Sequence, residues 1–304
     1  MSTMVELSRP SSGVERKRSR AGVYRRSTAK IAVYALVNIL ALSFIFPFFW
    51  SLMTSLKAPH EVVVFPPQVF PERFRFENYR IVFEKVPFAG FYLNTTIVAV
   101  MSTIGAVVST VLVAFGFSRK RFPGRNILFF VVLSTMMLPG EVTLIPQFLL
   151  FQSFGWLDTF YPLVVPSYFG SAFAIFLMRQ FLMTIPMDFD EAAMLDGASS
   201  LRILFTVLLP LIRPAAITVA ILSFLGSWSD FFHPLIYLNT SEKLTLSVGL
   251  RWFSQGQYAG AEAGEPREQL LMAASLMSTV PCVILFFLAQ RYFVEGMVMS
   301  GIKG

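Results

Sequence analysis

His60, His233, Cys282, Glu141 and Asp230 are the side chains that could build a reactive or metal-binding site, as the few nucleophilic, basic or ligand groups here and the ionisable ones inside apolar stretches. Their spacing supports no catalytic set. With two histidines in the chain the zinc-protease pattern His-Glu-x-x-His is absent, and no Gly-x-Ser-x-Gly elbow occurs. No lysine follows a glycine, so the glycine-rich phosphate-binding loop ending in Gly-Lys-Ser/Thr is missing from this chain. A single cysteine excludes a disulfide within the chain and a multi-cysteine metal site. The sequence nominates no catalytic residue, no metal ligand and no cofactor of its own.

Glu141 and Asp230 point instead to a pathway. An ionisable group at membrane depth is costly and normally faces a partner or a water-filled cavity. Glu141 follows Pro139-Gly140 and precedes Pro146, while Asp230 lies in the run 226–234 between Gly226 and Pro234, so both fall where a helix should break and free backbone carbonyls. Trp228, Asp230 and His233 together offer hydrogen-bonding groups and an aromatic face of the kind that suits a sugar. Two roles stay open for Glu141: lining the path, or capping a helix or pairing with a neighbouring subunit near the outer interface. Phe231 and Phe232 read as lipid-facing or core residues.

The elements that must position these groups are membrane spans. The 304 residues are 55% apolar and only 14% charged, whereas charged residues make up about a quarter of a soluble domain. Apolar runs near 31–53, 92–117, 127–150, 160–183, 214–238 and 270–291 are each long enough to cross about 30 Å of hydrocarbon as a helix. The expected fold is therefore all-α, integral to the membrane, with six spans. The run 31–53 is too long and begins too late for a cleaved signal peptide, and no small-x-small site ends it. Placing both termini in the cytoplasm puts 17 of the 25 Lys and Arg inside, eight of them in the basic tail 1–30. The net charge of +7 is thus explained by topology, with membrane lipid and not nucleic acid as the surrounding partner.

The cytoplasmic connection 186–210 is the most patterned segment. Asp188 and Glu191, three apart, resemble a capping box with Asp in the Ser/Thr place, and Gly197 is suited to close the short helix in the left-handed conformation. A second start is expected at Ser199 or Ser200, after which Leu201, Leu204, Phe205 and Leu208 form a stripe toward the membrane domain until Pro210 stops the run. Ala192, Ala193 and Gly197 leave the exposed turn nearly bare of side chains, so another protein's surface could approach its backbone.

These residues carry a resemblance. Glu191-Ala192-Ala193, Asp196-Gly197-Ala198, Phe205, Leu209-Pro210-Leu211 and Pro214 resemble the EAA loop of binding-protein-dependent ABC importer permeases. Further marks are Ser55-Leu56-Lys57, Asn78-Tyr79, Asn94-Thr95, the run 121–125, Leu138-Pro139, Trp228-Ser229-Asp230 and the glycine-containing end 296–304. The likeness covers most of the chain beyond the tail, 31–304, and is nearest to the second permease of the maltose, oligosaccharide and glycerol-phosphate type. Gly116, where Ala is commoner, and the basic extension are departures.

The resemblance implies a type I importer permease fold in a bacterial cell membrane. It implies that Glu191, Ala192, Ala193, Asp196, Gly197, Leu209 and Pro210 belong to a loop that docks as a coupling helix on an ATPase subunit. The implied partners are a second homologous permease, two ATPases holding ATP and Mg, and an extracellular or periplasmic solute-binding protein. The outer loop 239–269, with Trp252 and Tyr258, would reach toward that binding protein, or be a solvated surface loop. The expected function is carbohydrate import by alternating access, driven by ATP hydrolysed in the partner. Glycerol phosphate or a polyol is the alternative cargo, and an ion-driven carrier is the reading from another class; the absence of Lys or Arg deep within a span favours a neutral sugar over a phosphate.

Overall fold

The computed structural model describes residues 20–255 and 267–301, and among them helix is the sole regular element. Tyr258 and most of the basic tail lie outside the described residues. The chain divides into two compact units, one ending at Ser51 and the other beginning at Leu52. The first unit holds most of α1 (Arg20–Ser55), whose described surface from Ile31 onward is almost wholly exposed apolar side chain.

The second unit begins with two short helices, α2 (Pro59–Val62) and α3 (Glu77–Lys85), and the long α4 (Phe88–Arg119). Next come α5 (Arg125–Ser134), α6 (Gly140–Ser153), the single turn α7 (Tyr161–Val164) and α8 (Ala172–Thr184). The connection then holds α9 (Asp188–Leu195), α10 (Ser200–Arg202), a π-helical stretch Ile203–Leu208 and α11 (Leu209–Leu211). Finally come α12 (Arg213–Ser229), α13 (Phe232–Tyr237), α14 (Leu246–Ser254) and α15 (Glu268–Gly301).

Among the described residues four stretches are long and apolar enough to cross a membrane: Val33–Ser55, Phe88–Arg119, Tyr161–Thr184 and Glu268–Gln290. The third of them, the expected span 160–183, is interrupted by a 3-10 turn and by Gly170-Ser171. Counting each of two bent pairs as one span brings the total to as many as six. The expected third span, 127–150, is such a pair, with Arg125–Met137 and Gly140–Ser153 meeting at 100°. The cause is Pro139, which forces Leu138 to extended backbone with ψ near 117°. The expected fifth span, 214–238, is α12 alone, joined backward to Ser200–Leu211 through an 82° bend; Asp230 is extended and α13 is a separate short helix.

The central element is α4. Half of its most apolar window is buried within the chain, against 22% for Tyr161–Thr184 and 11% for Glu268–Gln290. Ala99, Ser102, Gly105 and Ser109 line one face at helical spacing and are buried, so an irregular segment fits against them. That segment is α7 and the 3-10 turn Val165–Phe169. Its open carbonyls find donors on α4: Ser102 Oγ donates to Leu163 O at 3.1 Å and Ser109 Oγ to Ser167 O at 3.2 Å. Gly105 is required here, because an added Cβ would lie 2.5 Å from the Tyr168 ring.

Two apolar cores sit at opposite ends of α4. One gathers Val82, Phe88, Phe91, Trp228, Leu244, Leu246 and Ala273. The other gathers Val111, Ala114, Met178, Leu182, Ile203, Leu204, Leu208, Ile212 and Val219, and so fixes the 186–210 connection to α4, α8 and α12.

Several residue pairs singled out in the sequence meet at the first core. Asn94 Nδ2 donates to the carbonyls of Glu242 (2.7 Å) and Leu244 (3.0 Å), while Thr95 Oγ1 accepts from Leu246 N at 2.7 Å. Asn78 Nδ2 donates to the carbonyls of Ser55 (2.8 Å) and Lys57 (2.9 Å), and the Ser55 hydroxyl meets Tyr79 Oη at 2.9 Å. Nearby, burial pushes the Glu61 carboxyl up, but the Ala58 and Glu72 N–H groups that donate to it hold it below its ordinary value.

Candidate functional site

The 186–210 connection folds into an exposed knuckle. Ile185 ends α8 and Met187, not Asp188, occupies the cap position of α9 without a side-chain bond, so the expected capping box is not formed. Asp188, Asp190 and Glu191 lie inside the first turn, where their charge complements the helix dipole. At the far end Gly197 takes φ +78°; its N–H donates to Met194 O at 3.0 Å and the next N–H, Ala198, to Ala193 O at 2.9 Å. This pair of bonds is a Schellman closure and needs a left-handed residue at Gly197. Ser199 Oγ then accepts from Arg202 N and starts the second helix.

The second helix departs from the expected stripe. Ile203, Leu204 and Leu208 are buried, whereas Leu201 and Phe205 are exposed. The reason is the π-helical winding over Ile203–Leu208, which places residues five apart on one side, so Ile203 replaces Leu201 in the core. Pro210 does not stop the run: the chain stays helical through Leu211 and bends before Arg213-Pro214.

On the knuckle's outer side Glu191, Ala192, Met194, Leu195, Asp196 and Gly197 are exposed, and Ala193 is partly covered. Leu195 is 90% exposed. A Cβ built on Gly197 would meet nothing of this chain within 4 Å. A turn-capped helix with an exposed apolar tip and an acidic first turn offers a surface that another protein could contact, and its exposed groups form no reactive set.

The candidate path residues are only partly brought together. Asp230, in the break between α12 and α13, accepts from His233 N at 3.3 Å and lies 2.9 Å from His233 Nδ1. Trp228 turns inward: it is buried, its Nε1–H donates to Ser278 O at 3.0 Å, and its ring packs on Phe224 and Tyr92. In this conformation its donor is used inside the chain. Glu141 is exposed in the first turn of α6, and among the described residues it bonds to neither Asp230 nor His233. Trp252 on α14 packs partly buried against the first core.

Two groups of residues were not signalled by local sequence. Arg119 at the end of α4 pairs with the buried Asp190 of α9, 3.3 Å apart. Asp158, with φ 56°, accepts from the backbone N–H groups of Asn239 (3.0 Å) and Thr240 (2.9 Å), from the Thr240 hydroxyl and from Lys243 Nζ (2.9 Å). These donors, the Thr240 hydroxyl foremost, hold the Asp158 carboxyl well below the ordinary carboxylate range. The lone sequence cue would have been opposite charges bounding short loops.

A pH dependence follows from the Asp158 clasp. A carboxyl depressed in the folded state contributes stability that is fully present above its unfolded value of about 4 and is lost as pH falls toward the folded value. Asp158→Asn is therefore expected to lower the thermal midpoint at neutral pH, with the difference from wild type narrowing below about pH 4. Thermal unfolding of both proteins across pH 3–7 checks this; a pH-independent difference would remove the charge argument.

Comparison with known proteins agrees with this architecture. Residues 105–298 match the family described as "Binding-protein-dependent transport system inner membrane component". An Escherichia coli protein named "Inner membrane ABC transporter permease protein YcjP" is 31% identical over 92% of this chain and 99% of its own length. The arabinooligosaccharides transport system permease AraQ of Bacillus subtilis is 30% identical over 91% of this chain and 97% of its own. In a crystal structure of a bacterial ABC transporter involved in the import of the acidic polysaccharide alginate, one chain matches with TM-score 0.79 and 28% identity, covering 90% of this chain and 98% of that one.

A chain whose described residues are helical with up to six spans, and which matches these relatives over nine-tenths of its length, is a multi-pass membrane transport subunit of the ABC importer permease type. It belongs to the binding-protein-dependent transport system inner membrane component family.

Proposed function

We propose that this chain is one of two permeases in an ATP-driven importer that carries a sugar or oligosaccharide into the cell by alternating access. The observation that supports this most is the knuckle: Glu191, Ala192, Asp196 and Gly197 stand exposed on a helix held to the end of α4, in the form a cleft on another subunit would accept. On this reading both termini and the knuckle are cytoplasmic, and the Asp158 clasp lies outside. Two ATPases supply the nucleotide chemistry with ATP and Mg, and a solute-binding protein delivers cargo. ATP must favour one facing of the permease pair over the other, because a partner with equal affinity for both states shifts nothing.

Carbohydrate is favoured as cargo by the relatives' names, which specify arabinooligosaccharides, diacetylchitobiose and galactooligosaccharides. A neutral sugar also suits a chain with no Lys or Arg deep in a span, which leaves a glycerol phosphate without a strong cationic site. The test is purification of the intact complex in detergent. The expected result is co-purifying ATPase, a second permease and ATP hydrolysis that rises with sugar-loaded binding protein. Gradient-driven uptake by this chain alone would replace this reading with that of an ion-driven carrier.

A further inference from the structure

We infer that Arg119 and Asp190 form a strut that makes α4 move with the knuckle, so that the pair sets how much solute is carried per ATP rather than whether the ATPase binds. The inference rests on the docking role proposed above.

Asp190 is the sole buried residue of α9. The knuckle helix is thus joined to the rest of the chain by a charge together with the packing of the partly buried Ala193 on the apolar core. Arg119 is the last residue of α4, and its side chain is 5% exposed while that of Asp190 is 2% exposed. The guanidinium holds the connection by two donated contacts and one contact of charges. Nη2 donates to Ile185 O at 3.0 Å and Nη1 meets Met187 Sδ at 3.0 Å, while Nε lies 3.3 Å from Asp190 Oδ2 as an ion pair whose two atoms form no hydrogen bond. The next residue, Lys120, donates to the Ser200 hydroxyl beyond the knuckle. Two consecutive cations at the end of one helix therefore hold the chain on both sides of α9.

A buried ion pair is a weak source of stability, since apolar packing of equal volume often does as well; what it adds is a defined geometry. Here that geometry connects a short, otherwise lightly anchored helix to a continuous rod of 32 residues. Near the other end of the rod, Asn94 and Thr95 grip the backbone of Glu242, Leu244 and Leu246. A displacement of the knuckle is delivered to the segment leading into α14. If the pair is broken, α9 pivots on its glycine turn and the displacement stops there.

The test uses the full complex reconstituted in vesicles with binding protein, measuring subunit stoichiometry, ATP hydrolysis and solute accumulated per ATP. Asp190→Asn is expected to keep the ATPase at wild-type stoichiometry and to lower solute per ATP about tenfold. Asp190→Glu, which keeps the charge, should recover most of it. Arg119→Met combined with Asp190→Leu should lose less than the product of the two single losses, because neither charge is left alone. Should Asp190→Asn not accumulate in the membrane, Arg119→Lys carries the test, with an intermediate yield expected from loss of the Ile185 and Met187 contacts.

Wild-type solute per ATP in Asp190→Asn or Arg119→Lys would overturn the strut, as would independent effects of the two positions. Loss of the ATPase from the Asp190→Asn complex would also overturn it, by making Asp190 part of the docking surface. Failure of the wild-type chain to co-purify with any ATPase would instead reject the docking role itself.

Discussion

Gly197→Asp is expected to abolish solute uptake while the permease still accumulates in the membrane. The position holds φ +78°, so any L-residue there carries strain, roughly 1–2 kcal/mol for a non-glycine side chain and less for Asp or Asn. That strain alone does not unfold a chain whose Gly197 Cβ would meet nothing of its own within 4 Å. The larger effect is on the proposed partner. A carboxylate added beside the exposed Asp196 would put a second like charge where the proposed partner is to approach bare backbone, and a charge buried there without compensation costs about 3–5 kcal/mol, on the order of a hundredfold or more in affinity. Gly197→Asn separates the two contributions, since it tolerates the same backbone without the charge and should retain partial uptake. Glu191→Lys should mimic the aspartate variant by reversing the charge of the first turn of α9. Uptake of labelled sugar and recovery of ATPase with the tagged permease measure both; full uptake by Gly197→Asp would show that nothing docks against this turn.

Much of this architecture is legible because it is local. Six apolar runs, the break at Leu138-Pro139 and the left-handed Gly197 each follow from a handful of adjacent residues. What escapes is register and long-range pairing. Leu201 and Phe205 fit an α-helical stripe, yet one turn of π winding exchanges them for Ile203, and no periodicity announces that extra residue. Asp188 and Glu191 read as the acids of a helix start, and only the fold shows that Asp190 between them faces inward to Arg119 while they face out. Asp158 likewise looks like a loop residue until residues 239–243 arrive beside it. In the candidate path, the helix break at Asp230 is visible in the run of glycine, serine and proline around it. The inward turn of Trp228 is not, because its acceptor, the Ser278 carbonyl, belongs to α15.

The same distinction between local type and distant partner sets the second large expected effect, at Asn78. Asn78 is 3% exposed, and its amide nitrogen donates to two carbonyls, Ser55 and Lys57, just where α1 gives way to the segment leading to α2. Among residues of this size, the amide NH2 supplies two donors from one atom without a charge. Asn78→Asp would replace those donors with acceptors facing two buried carbonyls, leaving both carbonyls and the new carboxylate unsatisfied, and it is expected to be the most destabilising change at this site. Asn78→Leu keeps the volume and loses only the bonds, at about 1–3 kcal/mol for each carbonyl left without a partner. The expected order of thermal midpoints for purified protein in detergent is wild type, then the leucine variant, then the aspartate variant, with the last recovered poorly from the membrane. Raising the pH from 5 to 7 should worsen the aspartate variant, because a carboxyl buried among acceptors is least destabilising when protonated and able to donate. An Asn78→Asp protein as stable as wild type at neutral pH would mean that water, not the amide, satisfies Ser55 and Lys57, and the junction would then be open rather than sealed.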